Sequence, residues 1–305
     1  MKWPPPLIVG KRTQALTGFA TRAELACWAR AGTSPLRRGT LVRRLAESFA
    51  EVVQYRDLLY MLTWRDIKAR YKQSVMGFFW AILMPLLIVG AGILVRLAYS
   101  MSSNQRLNFA DLASILLKSL PWAFFVSAIK FGTNSMVSNS NLVTKIYFPR
   151  EVLPLAAVLA SLFDATIAST VVILLLVLAR VGVSIYLLWL PVLLLLTVLL
   201  TAGLAMFLSC ANLFFRDVKY LVDVLLTFGI FFTPVFYEAR MLGKWATLLL
   251  INPLGALLEA MNDVVVHHQA PSYSWLAYAA CWAVLGLLIS WRIFDRAEAS
   301  FAENI

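Results

Sequence analysis

Long apolar stretches separated by short polar connections make up most of the 305-residue chain. Crossing a bilayer as a helix takes about 20 consecutive, mostly apolar residues. Six stretches meet this requirement and are predicted to be membrane spans. They cover residues 75–95, 112–137, 152–179, 183–211, 218–237 and 275–291. The pattern therefore predicts an all-α polytopic membrane protein with a six-helix transmembrane domain at 75–295, whose even number of spans leaves both termini on the same side.

Composition and charge support a membrane protein and orient it. Hydrophobic residues make up 61% of the chain and charged residues only 14%, against about 45–50% and about 25% in soluble domains. With a cytoplasmic N-terminus, the inner segments hold 20 basic residues and the outer loops hold five. Because basic residues concentrate on the cytoplasmic side of membrane proteins, both termini, including residues 296–305, are predicted to be cytoplasmic.

The segment before the first span divides into two parts. Residues 1–40 mix proline, glycine and basic residues without a sustained period and are predicted to be a flexible cytoplasmic tail. Residues 41–73 show helical spacing of both apolar and basic positions, which predicts an amphipathic interfacial helix. The apolar positions are Tyr55, Leu58, Leu59 and Leu62, and the basic positions are Arg65, Lys68 and Lys72. A solvated helix ahead of the membrane is the alternative.

The predicted outer loop contains an apolar stretch that is too interrupted to span. Asn252, Pro253 and Gly255 break it after a few residues. We therefore predict two short re-entrant helices within 241–263, close to a cavity or pore at the outer face, since irregular backbone at membrane depth needs protein or water beside it. A simple lid on the outer surface is the alternative.

The predicted cytoplasmic link between the second and third spans has the sequence "NLVTKIYFPREVLP", residues 141–154. We predict a short, rigid helix over 141–149, because polar residues can cap its start and the residue before a proline is pushed away from helical dihedrals. The aromatic pair Tyr147–Phe148 is predicted to be exposed at its end. A rigid link of this kind would transmit force between spans, whereas an ordinary polar loop would absorb it.

Several kinds of chemistry are absent from the sequence. It contains no GxxxxGK[ST] phosphate loop, no paired His-Glu metal motif and no GxSxG elbow. Asp164 and Asp223 are single acids within predicted spans, and we interpret Asp164 as a hydrogen-bonding group at a helix interface rather than a proton relay. The adjacent His267 and His268 are interpreted as a solvated loop pair. The sequence therefore predicts a protein without its own catalytic or metal site.

Four blocks of sequence resemble one transporter family. They are "LTWRDIKARYKQSVMGFFWAILMPLL", "LPWAFFVSAIKFGTNSMVSNSNLVTKIYFPREVLPLAAVLASLFD", "LFFRDVKYLVDVLLTFGIFFTPVFY" and "INPLGALLEA". Together they look like the permease subunit of ABC-type polysaccharide exporters, which move lipid-linked O-antigen, capsule or teichoic acid polymers across bacterial inner membranes. The resemblance covers about residues 45–295 in order and leaves residues 1–40 unexplained.

The resemblance implies partners and an architecture. It implies a homodimer with two separate ATPase subunits on the cytoplasmic side, which bind the ATP and magnesium. It implies that 241–263 forms outer gate helices, that the interfacial helix lies near the point of lipid access, and that 141–149 is the coupling helix that contacts the ATPase. The residues expected at that contact are Asn141, Lys145, Tyr147, Phe148, Arg150 and Glu151.

Two further groups of residues are candidates for substrate contact. An undecaprenyl pyrophosphate carrier requires charge-assisted donors at headgroup depth, and the candidates are Arg65, Lys68, Arg70 and Lys72. These cations could instead serve only to fix topology, and the two roles can coexist. Aromatic rings could form a sugar path or act as interfacial anchors. The candidates for the path are Phe78, Phe79, Trp80, Phe124, Phe125, Phe231 and Tyr237.

The resemblance predicts a channel-forming permease of an ATP-driven exporter for a lipid-linked, O-antigen-like polysaccharide. An ABC permease for a smaller lipid or drug is the alternative within the same class, and a neighbouring polysaccharide operon would distinguish the two. A membrane-embedded glycosyltransferase would need clustered acidic or metal-binding residues at the membrane face. A proton-driven carrier would need chains of intramembrane acids. The sequence shows neither feature.

Overall fold

The computed structural model describes residues 50–72, 79–103, 109–145 and 148–304, and every regular element within these ranges is helical. The helices are α1 (Arg56–Tyr71), α2 (Phe79–Ser103), α3 (Phe109–Ser138), α4 (Ser140–Lys145), α5 (Val152–Leu178), α6 (Leu190–Phe214), α7 (Val218–Gly229), α8 (Ala246–Leu250), α9 (Pro253–Val265) and α10 (Tyr273–Asn304). Short 3-10 segments at Ile185–Trp189 and Ala239–Trp245 precede α6 and α8. The prediction of an all-α protein is confirmed for the described residues, and the predicted tail at 1–40 lies outside them.

Five of the six predicted spans form helices of membrane length. Within the described ranges, the segments long and apolar enough to cross a bilayer are Phe79–Ala98, Phe109–Ser138, Val152–Leu178, Ile185–Phe214 and Tyr273–Ala297. The start of the first predicted span, residues 75–78, lies outside the described residues. The other boundaries agree with the hydropathy pattern to within a few residues, except that α2 and α10 extend well beyond the predicted ends.

The prediction of a continuous fifth span at 218–237 is wrong. Helix α7 ends at Gly229 after 12 residues, a length of about 18 Å against a hydrocarbon core of about 30 Å. Beyond it, Phe231 N donates to Phe228 O at 3.1 Å, and Phe232 N donates to Gly229 O at 3.1 Å. These i to i+3 bonds tighten the last turn and end the α-helix, and Pro234 then follows without an N–H to continue it.

Helix α3 lies at the centre of the bundle. It contacts α2, α5, α6, α7 and α9, and most of the residues in its central part are buried. Its backbone approaches α6 closely at Gly132, where an added Cβ would lie 2.7 Å from the Cβ of Ala205. Small residues at such contacts let two helix backbones come together in a membrane. Because α3 contacts all of these helices, it contributes residues both to the cavity and to the buried polar cluster around Lys118, which are described below.

Helices α6 and α10 approach each other backbone to backbone at Gly203. A Cβ added at Gly203 in α6 would lie 2.8 Å from both the N and the Cα of Leu287 in α10. Both of these atoms belong to the backbone, so no side chain can rotate away to make room. Gly203 is therefore required by packing rather than by its own dihedral angles.

The link between α3 and α5 is shorter as a helix than predicted. Helix α4 covers Ser140–Lys145, whereas residue 148 lies in a bend. The predicted helix over 141–149 is therefore wrong at its C-terminal end. Val152 N donates to Pro149 O at 3.2 Å, so Pro149 belongs to the turn that leads into α5. This proline therefore lies just before the start of α5, the third predicted span.

Replacing Gly203 by alanine should destabilise the protein, because the new methyl group would overlap the α10 backbone. Overpacking of this kind costs about 1–3 kcal/mol, which thermal or denaturant unfolding of the purified protein in detergent can measure. Gly90→Ala is the matched control, since nothing lies within 4 Å of a Cβ added there. Equal stability of the two variants would contradict a close α6–α10 contact.

Candidate functional site

A cavity of about 1300 Å³ is bounded by residues of α1, α2, α3, α5 and α7. Its polar lining comprises Arg65, Asp66, Arg70, Tyr71, Ser127, Lys130, Asn134, Ser135, Ser138, Asn139, Ser161, Asp164 and Thr227. Its aromatic lining, apart from Tyr71, comprises Trp80, Trp122, Phe124 and Phe131. Cations, carboxylates, hydroxyls and flat apolar rings thus share one space, and this combination suits an amphipathic ligand with a polar head.

Arg70 joins α1 to α5 at the wall of this cavity. Its Nη1 donates to Asp164 Oδ2 at 2.5 Å, and its Nη2 donates to Ser161 Oγ at 3.1 Å. The guanidinium also lies over the ring of Phe131, with 3.8 Å from Cζ to the ring centroid. Only 13% of the Arg70 side chain is exposed. A carboxylate of the same chain thus already neutralises the charge of Arg70, and its role at a substrate phosphate stays a prediction.

Asp164 also accepts a hydrogen bond from Tyr71, whose hydroxyl lies 2.5 Å from Oδ1. Burial, together with the adjacent Asp164 carboxylate, raises the pKa of the Tyr71 phenol above its usual range. The hydroxyl thus keeps its proton and remains a donor. Both carboxylate oxygens of Asp164 are engaged, which agrees with its interpretation as a hydrogen-bonding group at a helix interface.

The other three cations of α1 differ from Arg70. Arg65 lines the cavity and pairs with its neighbour Asp66 at 2.8 Å, with 43% of its side chain exposed. Lys68 and Lys72 are exposed and do not line the cavity, and the Lys68 ammonium lies 5.4 Å from the centroid of the Trp64 ring. The structure therefore places Arg65 and Arg70 at the cavity and Lys68 and Lys72 outside it.

The apolar side of α1 packs against α5. Leu62 is buried, Leu58 and Leu59 are half-buried, and Tyr55 is exposed. The buried face therefore includes only part of the predicted stripe. It also includes Ile67, which the stripe omitted because it lies beyond the last leucine of that run.

Lys130 is a cavity residue that the sequence interpretation left without a role. It lies in α3, and its Nζ is 3.1 Å from Asp223 Oδ1 in α7. About half of each side chain is exposed in the chain. The sequence did hold a signal for this pair. Lys130 lies within the second predicted span and Asp223 within the fifth, and charged residues within spans require a partner.

The predicted aromatic path is divided between different surfaces. Trp80 and Phe124 line the cavity, whereas Phe79 and Phe231 are exposed and do not line it, and Phe125 is buried in the core. The Tyr237 hydroxyl donates to the backbone oxygen of Phe231 at 2.6 Å. Phe78 lies outside the described residues. Of the seven candidate rings, the cavity holds Trp80 and Phe124, together with Trp122 and Phe131, which were not among the candidates. The aromatic path itself stays a prediction.

The predicted break in the outer loop is confirmed as a tight corner between α8 and α9. Asn252 caps α9 by accepting a hydrogen bond from Leu254 N at 3.1 Å, and its Nδ2 donates to Thr233 Oγ1 at 2.9 Å. Pro253 occupies the first helical position, where a missing N–H costs nothing. A Cβ at Gly255 would lie 2.7 Å from Leu249 O, so the corner closes only with glycine there.

A second polar cluster, the Lys118 network, joins α3 to the residues around α9. Lys118 is fully buried, and its ammonium donates to Tyr237 O at 2.8 Å and to Glu259 Oε1 at 3.3 Å. Glu259 Oε1 also accepts from Ala239 N at 2.7 Å. Through the neighbours of Ala239 in the chain, the network extends to ion pairs among Glu238, Arg240, Asp263 and His267. Sequence reasoning missed it because its members lie far apart in the chain.

Within this network, Arg240 bridges two acids. Its Nη2 lies 3.3 Å from Asp263 Oδ1 and 3.6 Å from Glu238 Oε2. His267 Nε2 lies 3.2 Å from the other oxygen of Glu238. Burial raises the pKa of the Asp263 carboxyl above its usual range, while the nearby Arg240 acts in the opposite direction. His267 thus contacts a carboxylate of the same chain, and the described residues contain no cluster of three or more potential metal ligands.

Comparison with known proteins assigns the chain to a family. Residues 57–266, which include α1, the cavity helices and α9, match the family described as ABC-2 type transporter. The chain belongs to this family. The family resemblance inferred from the sequence blocks is therefore confirmed, and as a permease subunit of an ABC transporter the protein is a multi-pass membrane protein with an ATPase partner.

Two relatives extend the comparison beyond the family. The chain is 29% identical over 259 residues to the O-antigen export system permease protein RfbA of Myxococcus xanthus, covering 84% of this chain and 98% of the relative. It is 25% identical over 250 residues to the protein of the same name from Klebsiella pneumoniae, covering 81% of this chain and 94% of the relative. The similarity thus extends over nearly the whole length of both relatives.

The ABC-2 permease differs from expectation at the predicted ATPase contact. Phe148 is 5% exposed and Glu151 is 4% exposed, so the prediction of an exposed Phe148 ring is wrong. Both residues lie in the turn that enters α5, which is packed within the protein. Asn141 is exposed and Arg150 is half-buried. The Lys145 side chain and Tyr147 lie outside the described part of the structure, and the coupling role of these residues stays a prediction.

Replacing Asp164 by asparagine should destabilise the ABC-2 permease by leaving the Arg70 charge without its partner. Breaking a buried pair in this way costs about 3–5 kcal/mol, and the slight exposure of Arg70 and Asp164 places the expected loss at the lower end. Asp66→Asn is the control, because exposed pairs contribute about 0–1 kcal/mol. Unfolding in detergent compares the two, and similar losses would contradict a structural role for Asp164.

Single substitutions in the Lys118 network should each be more harmful than their combination. Glu259→Gln leaves a buried lysine without its carboxylate, and Lys118→Met leaves a buried carboxylate, at a cost of about 3–5 kcal/mol each. The double variant should recover much of this loss, which a double-mutant cycle of unfolding free energies measures. Arg240→Gln, at a side chain 53% exposed, should cost far less. Additive losses in the cycle would exclude direct coupling between Lys118 and Glu259.

Proposed function

We propose that this ABC-2 permease is the membrane half of an ATP-driven exporter for a lipid-linked polysaccharide of the O-antigen type in a bacterial inner membrane. The observation that carries the proposal is the similarity over most of the chain to proteins named O-antigen export system permeases. In this function the chain forms the path, and partner subunits bind ATP and magnesium and perform the hydrolysis.

The composition of the cavity supports a substrate that combines sugar, phosphate and lipid. Aromatic rings such as Trp80 and Phe131 offer flat surfaces to sugar C–H faces. The cavity also holds cations, which suit the phosphates of an undecaprenyl pyrophosphate carrier. Its contact with α1, the predicted interfacial helix, supports uptake of the lipid from the cytoplasmic leaflet.

The surface beside the cavity supports a homodimer. Helix α7 exposes a large apolar face consisting of Tyr220, Leu221, Val224, Leu225 and Phe228. Asp223 lies on the same helix and pairs with Lys130 of α3, and both side chains are about half exposed. A charged pair facing lipid tails is costly, so we propose that a second copy of the permease, with a polar path between the copies, faces this side.

A sixth crossing is part of the proposal. The five membrane-length helices alone would leave the termini on opposite sides of the membrane. We propose that α7 and the turn at 230–237 complete a broken sixth crossing, which returns both termini to the cytoplasm in agreement with the distribution of basic residues. Helices α8 and α9 then lie near the outer face, where they would close the path at rest.

Coupling to ATP hydrolysis is proposed for the link at α4. Binding of ATP by the partner subunits would displace this link, which is joined directly to α3 and α5. Both helices line the cavity, so their displacement would change its shape and move the polymer outward in steps. The surface of α4 at Asn141 is the proposed contact in place of the buried Phe148 ring.

Reconstitution tests this function. The permease is purified together with the ABC ATPase encoded beside it and placed in proteoliposomes with an undecaprenyl-pyrophosphate-linked polysaccharide. We expect the glycan to stimulate ATP hydrolysis and to become accessible to a glycosidase on the opposite side of the membrane. A complex with a catalytically inactive ATPase should bind the glycan without moving it.

The outcome separates the candidate functions. Stimulation by a small lipid or drug, with no response to the glycan, would favour the alternative substrate class. Failure of the permease to associate with any ABC ATPase would contradict the proposed mechanism as a whole.

A further inference from the structure

Among the described residues, three ion pairs lie at the cavity, and they differ in how deeply they are buried. Arg70–Asp164 is 13% and 18% exposed, Arg65–Asp66 is 43% and 25% exposed, and Lys130–Asp223 is 45% and 54% exposed. Arg70 also contacts Ser161 and the ring of Phe131, whereas among the described residues Lys130 pairs with Asp223. The three cations are therefore unequal as potential ligands for an incoming anion.

The energetics favour exchange at Lys130. A phosphate that displaced Asp164 from Arg70 would first have to break a largely buried pair and leave the Asp164 carboxylate poorly solvated. The half-exposed Lys130–Asp223 pair is much weaker, because solvent screens it. Asp223, being half exposed, can also remain solvated after its partner leaves. The Arg65–Asp66 pair is also partly exposed. Asp66, however, is adjacent to Arg65 in the chain and also lines the cavity, so the carboxylate can stay beside Arg65 when the side chain moves.

The helical register of α3 builds a polar site around Lys130. Ser127, Lys130, Phe131 and Asn134 all line the cavity, and their spacing of three and four residues places them on one face of the helix. Asn134 supplies an amide as a neutral donor and Phe131 supplies a ring, whereas the Ser127 hydroxyl donates to Ser161 Oγ at 3.3 Å. Asp223 itself does not line the cavity, so rotation of the Lys130 side chain away from Asp223 would bring its ammonium further into this space.

We propose that Lys130 binds the phosphate groups of a polyprenyl pyrophosphate by exchanging Asp223 for the lipid anion. This inference rests on the proposed function and names a substrate-binding residue within it. Lys130 lies eight residues before the end of α3, about 12 Å along the helix axis, so the bound phosphates are drawn from the headgroup layer into the cavity. Asp223 holds the ammonium in place when no lipid is bound, and Arg70 keeps the wall intact by staying paired.

The test measures binding of undecaprenyl pyrophosphate to the full-length permease in nanodiscs of zwitterionic lipid. Lys130→Gln should weaken binding at least tenfold, the loss expected for one charge-assisted contact. Asp223→Asn should strengthen binding by up to about fivefold, because the lipid no longer competes with a carboxylate. Lys130→Arg should retain most of the affinity. Opposite signs for Lys130→Gln and Asp223→Asn are the decisive feature, since a merely structural pair would make both variants worse.

The controls identify the ligand and the kind of failure. Undecaprenol and inorganic pyrophosphate should bind far more weakly than undecaprenyl pyrophosphate, and Arg296→Gln, at an exposed basic residue outside the cavity, should bind like the wild type. Equal affinity of the wild type and Lys130→Gln would overturn the inference and leave the proposed function standing. Absence of binding by the wild type would count against the proposed substrate class itself. Should Lys130→Gln fail to fold, the sign of the Asp223→Asn effect still decides.

Discussion

Neutralisation of charge in an apolar surrounding is the constraint on which this helical bundle depends. Hydrophobic matching alone does not tell one membrane helix from another, because lipid tails are as apolar as leucine. Arg70 and Asp164 fix α1 against α5, and Lys118 and Glu259 fix α9 against α3. Each of these pairs joins segments that are distant in the sequence. Removing one member leaves a charge that the surroundings cannot solvate, so each pair specifies its contact more strongly than the nearby leucines do.

The interruption after α7 follows from a second constraint, the need to satisfy every backbone group. At Gly229 the helix changes to tighter bonding, and the next residues bond locally, with Val235 N donating to Thr233 O at 2.7 Å. The side chain of Asn252, at the corner before α9, donates a hydrogen bond to the Thr233 hydroxyl and so stabilises this irregular segment. An irregular segment is tolerated at this place because a polar side chain from a neighbouring helix meets it.

Much of the fold could be predicted from the sequence, because mean hydropathy along 20 residues is a local property. The same averaging hid the end of α7, since "FGIFFTPVFY" is apolar throughout and only the glycine and proline mark the change. The break at Asn252–Pro253 was predictable because capping and proline chemistry act within three residues. The partners of Arg70, Lys118 and Lys130 were not, because each is fixed by packing between distant helices. Phe148 was misjudged for a related reason, as its burial depends on where α5 begins.

The contact at Gly203 has a mechanical consequence. Where α6 and α10 meet, backbone lies against backbone, and there is no side chain whose rotation could let one helix slide past the other. These two helices therefore move as one stiff frame. Helix α7, by contrast, meets α3 through the half-exposed Lys130–Asp223 pair, which yields more easily than a backbone contact. Among the described residues, the cavity is lined by α3 and α7 and not by α6 or α10, so its shape can change without disturbing the stiff frame.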